Sequence, residues 1–185
     1  MSIKSIREST LTNFSGTVID LETIGSFDRQ YSDSRTYANH KIVIFGAISN
    51  GVLAQHYVSS SEHIPLLASG VEKILESFPR PFHSFNTHFE IGVLSHSLGK
   101  RILFERELNR TKYEKKQHVV IGLEIPEYED PFFGDGLKCM EAWKVGGADG
   151  VRKALAHNRA CLLKERDILL KRGAREPEPL LVHLQ

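Results

Sequence analysis

Residues 17–25, "TVIDLETIG", set two carboxylates, Asp20 and Glu22, into a run that otherwise has the make-up of a buried strand. Val18, Ile19 and Leu21 suit a central strand. Successive strand residues point to opposite faces, so Asp20 and Glu22 share one face while Leu21 packs on the other. Two neighbouring carboxylates repel, and burial adds to the cost of ionising both. A divalent cation relieves that repulsion, and hard oxygen donors suit Mg²⁺ or Mn²⁺. A strand end emerging into solvent could carry the same acids without consequence. The apolar pair before Asp20 and the Thr-Ile-Gly after Glu22 favour a site.

Around this segment the pattern is that of an α/β protein. "FSGTVIDLE" (14–22), "KIVIFGAIS" (41–49) and "VLAQHYVS" (52–59) read as three strands. Asn50-Gly51 between the last two marks a tight hairpin, because a two-residue primed turn needs positive φ angles. "SEHIPLLASGVEKILESF" (61–78) carries apolar residues at helical spacing, and "PFHSF" (81–85) is a short fourth strand leading into a helix, "NTHFEIGVLSHSL" (86–98). "HVVIGLEI" (118–125) reads as a fifth strand, followed by a loop and helices over about 137–145 and 149–172. The order β-β-β-α-β-α-β-α-α predicts a five-stranded mixed sheet with helices on both faces. Ligand sites in such sheets lie at the carboxyl ends of strands near the topological switch point, which is where Asp20 and Glu22 fall.

The 185 residues are most simply one domain, 1–185, with the polar residues 1–12 and the tail 174–185 peripheral. Hydrophobic residues make up 41% and charged residues 25%, as in ordinary globular proteins. No apolar run is long enough to span a bilayer and no signal-peptide pattern opens the chain, so no membrane association is expected. The two cysteines, Cys139 and Cys161, show no framework spacing, which points to a reduced, cytoplasmic protein. A net charge of +1 lacks the global basicity of a strong nucleic-acid binder. Residues 100–116 are nevertheless rich in Lys and Arg, a run that is commonly a solvated surface and would suit a phosphate backbone beside a site.

Three segments together resemble a known family. "DLET" at the end of a first strand resembles the first motif of the DEDD superfamily of 3′–5′ exonucleases, which share the ribonuclease-H-like fold. "SFNTHFEIGVL" (84–94) is similar to the second motif, where a short strand ends in Asn and an acid follows in the first helical turn. "LAHNRACLLKERDILL" (155–170) resembles the third motif of the tyrosine-type branch, and "DPFFGDGLKCMEAWKVGGADGV" (130–151) has the look of the segment before it in the predicted-exonuclease members. The resemblance runs from about residue 14 to 172, in the family's order.

What the resemblance implies is a metal-dependent 3′–5′ exonuclease that hydrolyses phosphodiester bonds of DNA or RNA from a 3′ end with one or two Mg²⁺ or Mn²⁺ ions. Asp20 and Glu22 match the first motif unchanged and would bind metal, Glu22 also contacting the attacking water or terminal sugar. Glu90 takes the place of the second motif's aspartate, one methylene longer. His157 stands where the branch has tyrosine, and an imidazole can orient or deprotonate water at neutral pH. Cys161 stands at the last metal-binding aspartate, four residues and one helical turn from His157. A thiolate is a poor ligand for Mg²⁺. Glu165, a further turn along, is a carboxylate whose reach to the site looks long. These departures leave a rival expectation: a catalytically degraded copy that binds nucleic acid or a partner protein. Asn86 is expected to cap the second-motif helix, and Phe132, Phe133 and Trp143 to anchor core or loop.

Overall fold

The computed structural model describes residues 3–112 and 114–184. Among them, six strands form one mixed sheet: β1 (Lys4–Ser9), β2 (Thr17–Ile24), β3 (Lys41–Ser49), β4 (Val52–Tyr57), β5 (Phe82–Ser84) and β6 (Arg106–Glu107). Their spatial order is β1-β4-β3-β2-β5-β6. Five helices accompany them: α1 (Ile64–Ser77), α2 (Thr87–Leu98), α3 (Lys116–Gly122), α4 (Gly136–Val145) and α5 (Gly147–Arg172). Among the described residues no helix is long and apolar enough to cross a membrane.

The hairpin forms as its Asn-Gly requires. Asn50 (φ 49°) and Gly51 (φ 78°) both lie in the left-handed region, and Ser49 pairs with Val52 across the turn. β3 is apolar almost throughout because helices cover both faces of the sheet. On one face Phe45 stacks on Phe78 at the end of α1, whose Leu67, Val71 and Leu75 are buried. On the other, Gly46 lies directly under α5: a Cβ there would sit 2.3 Å from Asn158 Oδ1 and 2.7 Å from Leu162 Cδ1. Gly46 is paired with Asp20 across the β2–β3 ladder. The missing side chain therefore lets α5 descend onto Asp20.

β2 is antiparallel to β3 and parallel to β5, so β5, paired with the first residues of β2, ends beside the middle of β2, next to Asp20. The β2–β3 register slips between Glu22 and Thr23, where Val43 is left without a partner. Such bulges bend a strand and re-aim its side chains.

Two expectations are corrected, on the strand count and on "HVVIGLEI", and the two terminal stretches take definite places. The sheet has six strands, not five. The polar N-terminal stretch is peripheral as an edge strand: its residues 4–9 pair antiparallel with β4 along the full length of that strand. β1 is exposed over most of its length and is held by the main-chain ladder, a Ser5–His56 hydrogen bond and an Arg159–Glu8 ion pair. "HVVIGLEI" is not a strand; most of it forms α3, and the strand beside β5 is the two-residue β6 before it. The peripheral tail runs against the body: Arg175 bridges to Glu107, Ser34 N donates to the Leu181 carbonyl, and Ser34 exchanges hydrogen bonds with His183.

Candidate functional site

The acids of β2 open onto a cleft of about 1200 Å³ whose lining includes Asp20, Glu22, Glu90, Lys116, His157 and Cys161. β2 presents Asp20 and Glu22 to the face under α5, as period-two alternation requires, and both are buried. Asn158 on α5 clamps Asp20, its Nδ2 donating to Oδ2 at 2.8 Å and to the main-chain carbonyl at 3.1 Å. Gln55 on β4 fixes that amide by donating to Asn158 Oδ1 at 2.9 Å.

α2 begins where β5 ends, with Asn86 at the N-cap position, although its side chain makes no capping hydrogen bond. Glu90 in the first turn is buried and accepts from Ser84 Oγ at 2.9 Å. Burial, together with the nearby Glu165 and Asp20 carboxylates, holds its pKa well above the usual range. Glu165 on α5 does reach the site, against expectation: Lys116 Nζ lies 2.6 Å from Glu165 Oε1 and 3.4 Å from Asp20 Oδ1, so one ammonium spans both acids. The second Glu165 oxygen is buried with no partner. Burial and the Asp20 charge lift Glu165 to about 8 despite Lys116.

Beside this pair stands a second arrangement. His157 Nδ1 donates to the buried Asp130 at 2.7 Å, and its Nε2 faces Glu22 Oε1 at 3.9 Å and Cys161 Sγ at 3.8 Å. Asp130 is itself pinned by the Phe132 and Gly134 amides and by Lys164 Nζ at 3.0 Å. Burial raises Glu22 to about 7, with Asp20 adding to the rise and His157 opposing it. Burial disfavours a charged His157, but Asp130, Cys161 and Glu22 outweigh it and hold the imidazole's pKa up at about 11. A charged imidazole beside Glu22 suits donation of a proton to a bound oxygen. Burial pushes the Cys161 thiol up.

All five residues singled out from the sequence, Asp20, Glu22, Glu90, His157 and Cys161, thus line one cleft. Missed were Lys116, Asp130 and Lys164. Lys116 was hidden in a basic run that reads as surface, and Asp130 in a loop with no motif of its own. The i, i+7 spacing of His157 and Lys164, two helical turns apart on one face, could have signalled that both serve a common partner. No family model, no curated protein and no solved structure matches this chain.

The donor chemistry fits a divalent ion in part. Four buried carboxylates cluster about Asp20, whose charge is felt by Glu22, Glu90 and Glu165, with Lys116 and His157 as the cations among them, and hard oxygens of this kind suit Mg²⁺ or Mn²⁺. The thiol and imidazole beside Glu22 do not share that preference.

Proposed function

We propose that this protein is a metal-dependent 3′–5′ exonuclease with a ribonuclease-H-like fold, acting on DNA or RNA. The observation that carries the reading is the convergence of Asp20, Glu22 and Glu90 on one cleft, with the buried Glu165 joined to Asp20 through Lys116 beside them. Such a cluster is costly for folding alone, because each acid raises the cost of ionising the next. The mixed sheet with the acids on its β2 strand supports the fold part of the reading. Exposed Arg29, Lys112 and Lys115 line the same cleft and suit a phosphate backbone.

Asp20, Glu22, Glu90 and Glu165 would hold one or two Mg²⁺ or Mn²⁺ ions, which supply an activated water and neutralise charge on the scissile phosphate. Around them the chain's own residues hold the geometry. Asn158 locks the Asp20 rotamer, and Asp130 locks His157 with its Nε2 towards Glu22, where it orients or protonates a bound oxygen. Both cysteines are unpaired, which suits a reducing compartment such as the cytoplasm.

A specific observation favours the second reading, a degraded copy that binds nucleic acid or protein without cutting it. Lys116 already spans Asp20 and Glu165 as an internal counter-ion. Incubation of the protein with 5′-labelled single- and double-stranded DNA and RNA in Mg²⁺ or Mn²⁺ separates the two. Stepwise shortening from the 3′ end by the wild type, lost in Asp20→Asn, is the expected result. Identical behaviour of the two proteins under every condition would sink the enzymatic reading.

A further inference from the structure

Glu22, His157 and Cys161 form a donor set of a different kind from the acids around Lys116. One carboxylate oxygen, one imidazole nitrogen and one sulfur lie within 4.8 Å of one another, and all three residues are buried. We propose that these three side chains bind a single borderline-soft transition-metal ion of the Zn²⁺ or Co²⁺ class, with its fourth position open to the cleft.

Distances test the geometry. With Zn–N near 2.0–2.1 Å and Zn–S near 2.3 Å at tetrahedral angles, the N···S edge of a zinc site is about 3.6 Å and the N···O edge about 3.4 Å. Here His157 Nε2 lies 3.8 Å from Cys161 Sγ and 3.9 Å from Glu22 Oε1, so these two edges exceed the zinc values by a few tenths of an ångström, and the third edge lies within 4.8 Å. The imidazole is already oriented for ligation. A ligating histidine commonly donates its other ring N–H to a carboxylate, which fixes its tautomer and aim. Asp130 does this at 2.7 Å, and Asp130 is in turn held by two main-chain amides and Lys164. His157 and Cys161 stand one turn apart on α5, a helix that supplies a precise scaffold, while Glu22 comes from the central strand. Thiolate and imidazole select for Zn²⁺ and Co²⁺ over Mg²⁺. Three protein ligands with an open position define a catalytic rather than a structural zinc site, and these three line the cleft.

The inference revises the proposed function at one point: Glu22 ligates the borderline-soft ion, leaving Asp20, Glu90 and Glu165 for Mg²⁺ or Mn²⁺, and His157 is a ligand instead of handling the water's proton. It rests on that reading only for the location of the cleft. Cobalt spectroscopy tests it without reference to activity. Titrating the full chain with Co²⁺ should produce a thiolate-to-cobalt charge-transfer absorption and tetrahedral visible bands, saturating at one equivalent. Zn²⁺ should bleach both, and excess Mg²⁺ neither. Cys161→Ser should lose the charge-transfer band with an unchanged circular dichroism spectrum, and Cys139→Ser should keep it. Asp130→Asn should bind Co²⁺ on the order of 10–100-fold more weakly, because the imidazole loses its anchor. If Cys161→Ser fails to fold, His157→Gln reads the same claim through loss of the tetrahedral bands. Co²⁺ binding without the charge-transfer band in the wild type, or a band that survives Cys161→Ser, or tetrahedral bands that survive His157→Gln, overturns the inference. Mn²⁺-dependent cleavage without a thiolate band would leave the nuclease reading standing alone. A thiolate band without cleavage would do the reverse.

Discussion

Asp20 and Glu22 are two residues apart on one strand face, yet their surroundings balance charge in opposite ways. At Asp20 the counter-charge is Lys116, a long flexible chain from the first turn of α3 that also reaches Glu165. At Glu22 it is His157, a rigid ring fixed from behind by Asp130 and flanked by Cys161. A lysine ammonium can swing away when another cation arrives, whereas an imidazole held by a buried carboxylate keeps its aim. One side of the cleft floor is exchangeable and the other preorganised.

The comparison can be broken most decisively at Lys116. Removing one partner of a buried ion pair leaves the other uncompensated, a loss of about 3–5 kcal/mol. The Lys116 side chain is 26% exposed, so Lys116→Met should destabilise the metal-free protein by the lower end of that range, about 3 kcal/mol, in urea unfolding at neutral pH, and Mn²⁺ should recover most of the loss. A variant as stable as the wild type without metal would show that the ammonium balances nothing.

Gly46→Ala probes the clamp that both sides share. The added methyl meets the Asn158 and Leu162 side chains well inside van der Waals contact, so either these side chains or α5 must shift away from β3. A cost of about 1–3 kcal/mol is expected from overpacking, read as a lower urea midpoint, with weaker divalent-ion binding because Asn158 no longer holds Asp20. An unchanged midpoint would mean that α5 is not seated on Gly46.

The smallest expected effect is spread over pH. Glu22 titrates near 7 in the fold against 4.5 unperturbed, and Glu165 near 8. A carboxyl raised in this way favours the native state in full below about 4.5, and the advantage is lost as pH climbs through 7 and 8. His157, raised from 6.5 to about 11, acts in the same direction: its contribution is complete below 6.5 and fades towards 11. Buried His40, His56 and His83, whose pKa values burial lowers, oppose this only below 6.5. Metal-free stability should thus decline from pH 6.5 to 9, by about 1 kcal/mol per pH unit or less; Glu165→Gln should flatten the slope up to about pH 8, and Glu22→Gln only below about 7. Stability rising over that window would contradict the arrangement of charges.

How much of this was legible in the sequence depended on how local each signal is. Asp20 and Glu22 interrupt an apolar run at strand spacing, so their shared face could be read directly. Glu90, His157 and Cys161 followed from helical spacing and resemblance. β1 was missed because "KSIRES" has a single apolar residue; its exposed position is set by the β4 edge it pairs with. "HVVIGLEI" was misread because a short β-branched run fits strand and helix alike. Val119 and Val120 are adjacent and both buried, against Phe85, Leu108 and Ile168, a pattern that alternation cannot produce. That packing decided the element, and with it the place of Lys116 at the helix start. Asp130 and Glu165 became visible only when the loop, α5 and β2 were brought together.

Thermal unfolding of the wild type and Asp20→Asn across a Mn²⁺ titration at pH 7.5 tests the claim that the acid cluster exists to hold a divalent ion. The account predicts a rising melting temperature for the wild type, worth about 2.7 kcal/mol at a hundredfold excess over the dissociation constant, and little or no rise for Asp20→Asn. No shift in the wild type at millimolar Mn²⁺, or an equal shift in both proteins, would contradict it.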